Sequence, residues 1–216
     1  MAAEAVVFAV LIFGAAGTID WPSGWAFMAL FFIPAVWVTM NIARHDPALL
    51  DERMKPPSQE GQPFWDRVFI VIIMLLFVSW VVSLGLDRRF AWSHMPLWLQ
   101  VIGGAGVVYA WWFLDRVMLT NTFAAPVVKV QAERGHKVIS TGPYAIVRHP
   151  MYAGAAILLV TSALAIGSWW GVIGALFFMI AIAFRVLGEE KVLRTSLEGY
   201  DEYAARVRYR ILPGVW

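Results

Sequence analysis

Long apolar runs separated by short polar breaks organise the chain, and six runs stand out, at 5–19, 25–42, 68–86, 97–119, 151–166 and 169–187. A helix that crosses a bilayer needs about 20 mostly apolar residues, so the third and fourth runs qualify outright, while the first and fifth are short. Each short run is followed by a tight break, "DWPSG" at 20–24 and "GS" at 167–168, which predicts a helical hairpin with its successor. The pattern predicts an all-α integral membrane protein, a bundle of about five to six transmembrane helices in a single domain over 1–216. Residues 1–119 form its N-terminal helices and 120–216 its C-terminal region. A re-entrant last hairpin would lower the spanning count to four. Beyond Glu189, the residues Leu193, Leu197, Tyr200, Ala204, Val207 and Ile211 recur at spacings of three and four. That rhythm predicts one amphipathic C-terminal helix on the cytoplasmic face, lying against the membrane surface or capping the bundle.

Composition agrees with lipid as the solvent: 60% of the 216 residues are hydrophobic and only 15% are charged. A soluble domain of this length carries more charge and breaks its apolar runs with polar periodicity. Charge placement then orients the runs. Loops 43–67 and 115–150 and the tail from Arg185 hold fifteen of the seventeen lysines and arginines, leaving only Arg88 and Arg89 for the other side. The positive-inside rule puts both termini and all three basic regions in the cytoplasm. Trp21, Trp25, Trp92, Trp98, Trp169 and Trp170 sit near segment ends, where indoles favour the headgroup region. The first run carries Glu4 and no basic residue before it, which reads as a helix of the protein and not as a cleaved leader. A net charge of +2 without a basic run gives no sign of a nucleic-acid partner. The lack of cysteine removes disulfides, thiolate metal ligands and a cysteine nucleophile together.

Three polar clusters fall on the predicted cytoplasmic face: His136 with Lys137, then Arg148-His149-Pro150 with Tyr152, then Arg185 with Glu189 and Glu190. A guanidinium grips a carboxylate through forked, charge-assisted hydrogen bonds, and a carboxylate holds an ammonium or paired hydroxyls. Pro150 suits the first turn of the fifth run, where its missing N–H costs nothing, and it fixes how Arg148 and His149 enter from the loop. Taken singly, each cluster has an ordinary explanation. Arg148 at a boundary can snorkel to headgroups, Arg185 and Glu189 stand four apart as a helix-surface pair would, and His136 suits a solvated loop. Their convergence on one face points to a pocket for a zwitterionic ligand. No histidine–carboxylate spacing matches a familiar metal site, and "GGAG" at 103–106 follows no strand, so it reads as close helix packing and not as a dinucleotide loop.

At these residues the chain resembles the isoprenylcysteine carboxyl methyltransferase family and its relatives, the small membrane phospholipid N-methyltransferases. The matching stretches are "NTFAAPVVKVQAERGHKVISTGPYAIVRHPMYAG" from Asn121 and "FRVLGEEKVLRTSLEGYDEYAARVRYRILPG" from Phe184. They contain the family's histidine, its G-x-Y-x-x-x-R-H-P-x-Y-x-G run, its arginine and double glutamate, and its Y-x-x-Y tail. The resemblance implies S-adenosyl-L-methionine as cofactor, held by His136, Gly142, Tyr144, Arg148, His149, Pro150, Tyr152, Glu189 and Glu190. It implies Arg148 with Glu189 or Glu190 as the catalytic pair, and a lipid-like or isoprenoid acceptor entering sideways from the membrane lipids. The Asn121–Gly154 stretch looks most like the carboxyl-methylating branch, so O-methylation of an isoprenylated thioether acid is the expected activity. Phospholipid amine methylation is the alternative. Certain sterol reductases share a comparable C-terminal region, which adds a nicotinamide-dependent or non-methylating membrane protein as a third expectation.

Overall fold

Inside a bilayer no water satisfies a backbone N–H or C=O, so a chain with these apolar runs must close its hydrogen bonds within helices. The computed structural model, which describes residues 2–216, has eight: α1 (Ala2–Ala16), α2 (Pro22–His45), α3 (Pro47–Met54), α4 (Phe64–Phe90), α5 (Leu97–Thr120), α6 (Pro150–Ile166), α7 (Trp169–Ser196) and α8 (Tyr200–Arg206). Two 3₁₀ turns, Ala132–Arg134 and Gly142–Ala145, lie between α5 and α6. Four helices, α2, α4, α5 and α7, are long and apolar enough to cross a membrane, and α1 and α6 are shorter apolar helices. Large apolar side chains stand outward on them, such as Leu75 at 63%, Val101 at 65% and Phe177 at 59% exposure. Continuous apolar surface of this kind suits lipid and not water. The chain is an all-α integral membrane protein.

The predicted breaks recur in the structure with two differences. A short helix, α3, occupies the polar stretch after α2, with Asp46 capping it by accepting from the Leu49 N–H at 3.0 Å and Pro47 in its first turn. The single amphipathic tail helix does not form. Helix α7 runs on to Ser196, the chain turns through Gly199 in the left-handed region (φ 79°), and α8 covers only seven residues. Only glycine adopts that conformation without steric cost, so Gly199 divides the expected stripe. Leu197, Tyr200, Ala204 and Val207 from that stripe are nonetheless buried together, joined by Tyr203, while Ile211 lies beyond the helix.

The residues group into two units. One comprises the chain up to Val38, Ile73–Phe113 and Gly154–Met179. Its core is aromatic: Phe8 lies against Phe27, Phe31, Phe32 and Phe77 at centroid separations of 5.5–6.1 Å. Buried Asp87 organises its polar end, accepting from the Ser93 N–H (2.8 Å), the Ser93 hydroxyl (2.7 Å) and the Ser168 hydroxyl. Ser93 and Ser168 in turn accept from the Trp169 and Gly171 N–H groups at the start of α7. The other unit comprises Thr39–Ile72, Leu114–Ala153 and Ile180–Trp216, and it holds fifteen of the seventeen basic residues and every candidate site residue. Its first stretch brings two buried carboxylates, Glu52 and Asp66, and its second brings Asp115. Glu52 meets Lys55 and Lys129 at 2.6 Å each, Asp66 meets Arg185 at 3.1 Å, and Asp115 on α5 accepts from Asn41 at 2.7 Å.

Candidate active site

Helix α6 begins at Pro150, whose ring cannot extend a helix backwards, and His149 just before it accepts from the Tyr152 and Ala153 N–H groups. Arg148 and His149 are thereby set at the helix start with their own N–H groups unused by the helix. The tail takes them: Arg148 N–H donates to Tyr209 O at 3.0 Å and His149 N–H to Arg210 O at 2.8 Å. Arg148 Nη1 also donates to Val207 O (2.7 Å) and Arg208 O (2.9 Å). Four consecutive tail carbonyls thus rest on two residues.

Glu190 supplies the charge for this junction. Its Oε1 accepts from Arg148 Nε at 2.7 Å and lies 3.3 Å from His149 Nε2, while its Oε2 accepts from Arg210 Nε at 3.1 Å. Arg148, His149 and Glu190 are all buried. The carboxylate beside it is placed differently. Glu189 keeps 24% of its side chain exposed, accepts the Tyr152 hydroxyl at 2.6 Å, and lies 4.0 Å from His149 Nδ1. Of the two adjacent glutamates, one is enclosed by three cationic or imidazole partners and the other is partly open, hydrogen-bonded to the Tyr152 hydroxyl with His149 farther off.

Glu189 opens onto a small cleft of about 100 Å³. His136, Tyr144, Arg148, His149, Tyr152 and Glu189 line it; Gly142, Pro150 and Glu190 do not, and they act on it through the turn, the helix start and the junction just described. Apolar walls come from Phe123, Val127, Met151, Leu193 and Leu197. His136 stacks on Phe123 at 4.4 Å, and its Nδ1 accepts the Gln131 N–H at 3.2 Å, which leaves the proton of the neutral ring on Nε2. Burial, helped by the Arg134 charge, lowers its pKa to about 4, so the ring is neutral at neutral pH. Burial pushes the Tyr144 and Tyr200 phenols well up and Tyr203 to about 12, so all three remain hydroxyl donors. Tyr203 uses its hydroxyl on Tyr144 O at 2.8 Å. The Tyr200 hydroxyl is buried in the cleft wall with no partner.

One sequence expectation changes here. Arg185 does not pair with Glu189 four residues on; it pairs with Asp66 on α4 and also donates to Pro126 O at 2.7 Å. Tyr200 packs as the stripe predicts, in the buried cluster with Leu197, Tyr203, Ala204 and Val207, and also lines the cleft. The signal for Asp66 was a lone carboxylate opening an otherwise apolar run, where ionisable residues are costly and seldom idle. Among the described residues no three His, Asp or Glu side chains group to hold a metal.

No similar sequence is found among curated proteins. Residues 98–198, which carry all but the first residue of α5, the loop with both 3₁₀ turns, α6 and the whole of α7, match the model of the phospholipid methyltransferase family. That family belongs to the group of membrane methyltransferases related to isoprenylcysteine carboxyl methyltransferase, and over this stretch the chain is similar to a membrane methyltransferase.

Proposed function

We propose that the cleft binds S-adenosyl-L-methionine at the cytoplasmic face and methylates the carboxylate of an isoprenylated thioether or related lipid-like acid. The observation that carries this reading is the pairing of an open carboxylate, Glu189, with an unpartnered buried phenol, Tyr200, in the walls of one cleft that also has apolar sides from Phe123, Val127, Met151, Leu193 and Leu197. A buried hydroxyl left without a partner loses the hydrogen bond it had in water, so a polar ligand that completes it is favoured. Glu189 suits an ammonium or ribose hydroxyls, Tyr144 and Tyr200 suit ligand acceptors, and Phe123 with the aliphatic walls suits a flat heterocycle. Bound there, S-adenosylmethionine supplies an electrophilic methyl group on a sulfonium.

What the chain adds is position and a dry setting. Transfer to a carboxylate annihilates charge, which apolar walls favour, and alignment of the reacting atoms provides much of the remaining acceleration. A carboxylate acceptor needs no base. Arg148, with Nε and Nη1 held by Glu190 and the tail, retains Nη2 to orient it. Glu190 keeps Arg148 fixed, and Arg148 with His149 holds the 207–210 segment in place.

The match to the phospholipid methyltransferase family supports a second reading, an amine acceptor of the phosphatidylethanolamine type. An amine must lose a proton to react, and Glu189, the more exposed glutamate, is placed to take it. Detergent-solubilised protein titrated with S-adenosylmethionine, S-adenosylhomocysteine and NADPH tests the cofactor: the first two bind, and binding of NADPH alone would overturn the proposal. Radiolabelled methyl transfer to farnesyl-thio acids and to phosphatidylethanolamines then separates the acceptors.

A further inference from the structure

Asp66 and Arg185 form an ion pair that neither the site residues above nor the matched family segment accounts for, since Asp66 lies outside 98–198. Both are buried, Asp66 completely and Arg185 to 9% exposure. Arg185 Nε and Nη2 and both Asp66 oxygens have partners. Arg185 Nε and Nη2 reach Asp66 Oδ1 at 3.1 Å, and Nη2 also donates to Pro126 O at 2.7 Å. Asp66 Oδ2 accepts from Gln62 at 2.8 Å and from the Val128 N–H at 2.9 Å. The guanidinium lies 5.1 Å from the Phe69 ring and 5.9 Å from the Tyr152 ring. Tyr152 also stacks with His149 at 5.7 Å and donates its hydroxyl to Glu189.

A buried ion pair is weak support for stability, because desolvation offsets the attraction and apolar side chains of similar volume serve folding as well or better. The pair here has a different consequence. It fixes a cation against one face of Tyr152, and it anchors Pro126 and Val128 on either side of Val127, which lines the cleft. We infer that Asp66 and Arg185 are positioning residues that hold the Tyr152 ring, and through its hydroxyl the Glu189 carboxylate, in the reactive arrangement of the cleft. The cation over the ring also draws electron density from the phenol and strengthens its hydrogen bond to Glu189. This inference rests on Glu189 acting in the proposed methyl transfer.

The test replaces the pair by apolar residues, Asp66→Leu with Arg185→Met, in protein carrying 3-fluorotyrosine. The Tyr152 resonance is assigned by its loss in Tyr152→Phe. In the folded double variant the Tyr152 resonance is expected to shift or broaden while the rest of the spectrum stays native-like. Methyl-transfer kcat is expected to fall about tenfold, the scale of modest misalignment. In the Tyr152→Phe background, removing the pair should cost less than about twofold, because the route through the hydroxyl is already broken. An unmoved Tyr152 resonance, or equal losses in the two backgrounds, would overturn the inference. Asp66→Asn, which keeps the shape of the side chain, gives the same readouts if the double variant does not fold. Should the wild-type protein bind no S-adenosylhomocysteine and transfer no methyl group, the proposed function fails, and the fluorine spectrum still decides whether the pair positions Tyr152.

Discussion

Adjacent glutamates with opposite surroundings separate scaffold from chemistry at the scale of single residues. Glu190 neutralises Arg148 inside the protein, and breaking a buried pair from one side leaves an uncompensated charge. Glu190→Ala should therefore destabilise the protein by on the order of 3–5 kcal/mol, read as an early thermal unfolding transition in detergent. Glu189→Gln keeps the size of a side chain that carries one neutral hydrogen bond, so it should unfold like the wild type and lose methyl transfer. Equal unfolding of the two variants would contradict the division. His136 gives a pH signature. Its folded pKa of about 4 lies below the ordinary value of 6.5, so between those values the unfolded chain binds more protons than the folded one. Stability therefore falls as pH drops from about 6.5 towards 4. The unfolding temperature should decline across that window, and His136→Gln should flatten the decline.

Among the helices, close packing accounts for glycines that carry no chemistry. A methyl on Gly103 of α5 would come within 2.4 Å of Ala165 N and 2.7 Å of Leu164 on α6, whereas one on Gly104 meets nothing nearer than Leu30 Cδ1 at 3.4 Å. Gly103→Ala should cost about 1–3 kcal/mol through forced backbone movement. Gly104→Ala should be neutral or stabilising by up to about 1 kcal/mol, and thermal unfolding of the two variants checks the contrast. The helices themselves were legible because lipid leaves an apolar run few alternatives, and Pro150 marked the start of α6 correctly. What periodicity did not reveal was punctuation and partnership. The stripe from Leu193 to Ile211 has good helical spacing, and the left-handed turn at Gly199 cuts it into α7 and α8. Helix α3 carried a readable signal, Asp46 before Pro47, in a stretch too polar to stand out as a run.

For the whole molecule, the candidate cleft was legible where its residues are near one another in sequence, at 136–152 and 189–190. It was hidden where partners come from far away: Asp66 from α4, Tyr200 and the 207–210 carbonyls from the tail. Spacing cannot announce a contact between positions separated by 119 residues, as Asp66 and Arg185 are. The gathering of fifteen of seventeen basic residues into the three stretches around the cleft is the sidedness argument in its strongest form. The chain has no cysteine, so single-cysteine labelling tests it directly. Lys137→Cys should react with an impermeant maleimide only from the cytoplasmic side and His94→Cys only from the opposite side, and labelling of both from one side would contradict the orientation.

The core proposition is that an open carboxylate in a greasy cleft serves methyl transfer to a lipid-like acceptor. Transfer of a radiolabelled methyl group from S-adenosylmethionine into lipid-soluble product, with wild-type protein and Glu189→Gln side by side, tests it most directly. Label should appear with the wild type on a farnesyl-thio acid or a phosphatidylethanolamine and vanish with the variant. Label that persists undiminished in Glu189→Gln, or never appears with wild-type protein on either acceptor, would contradict it.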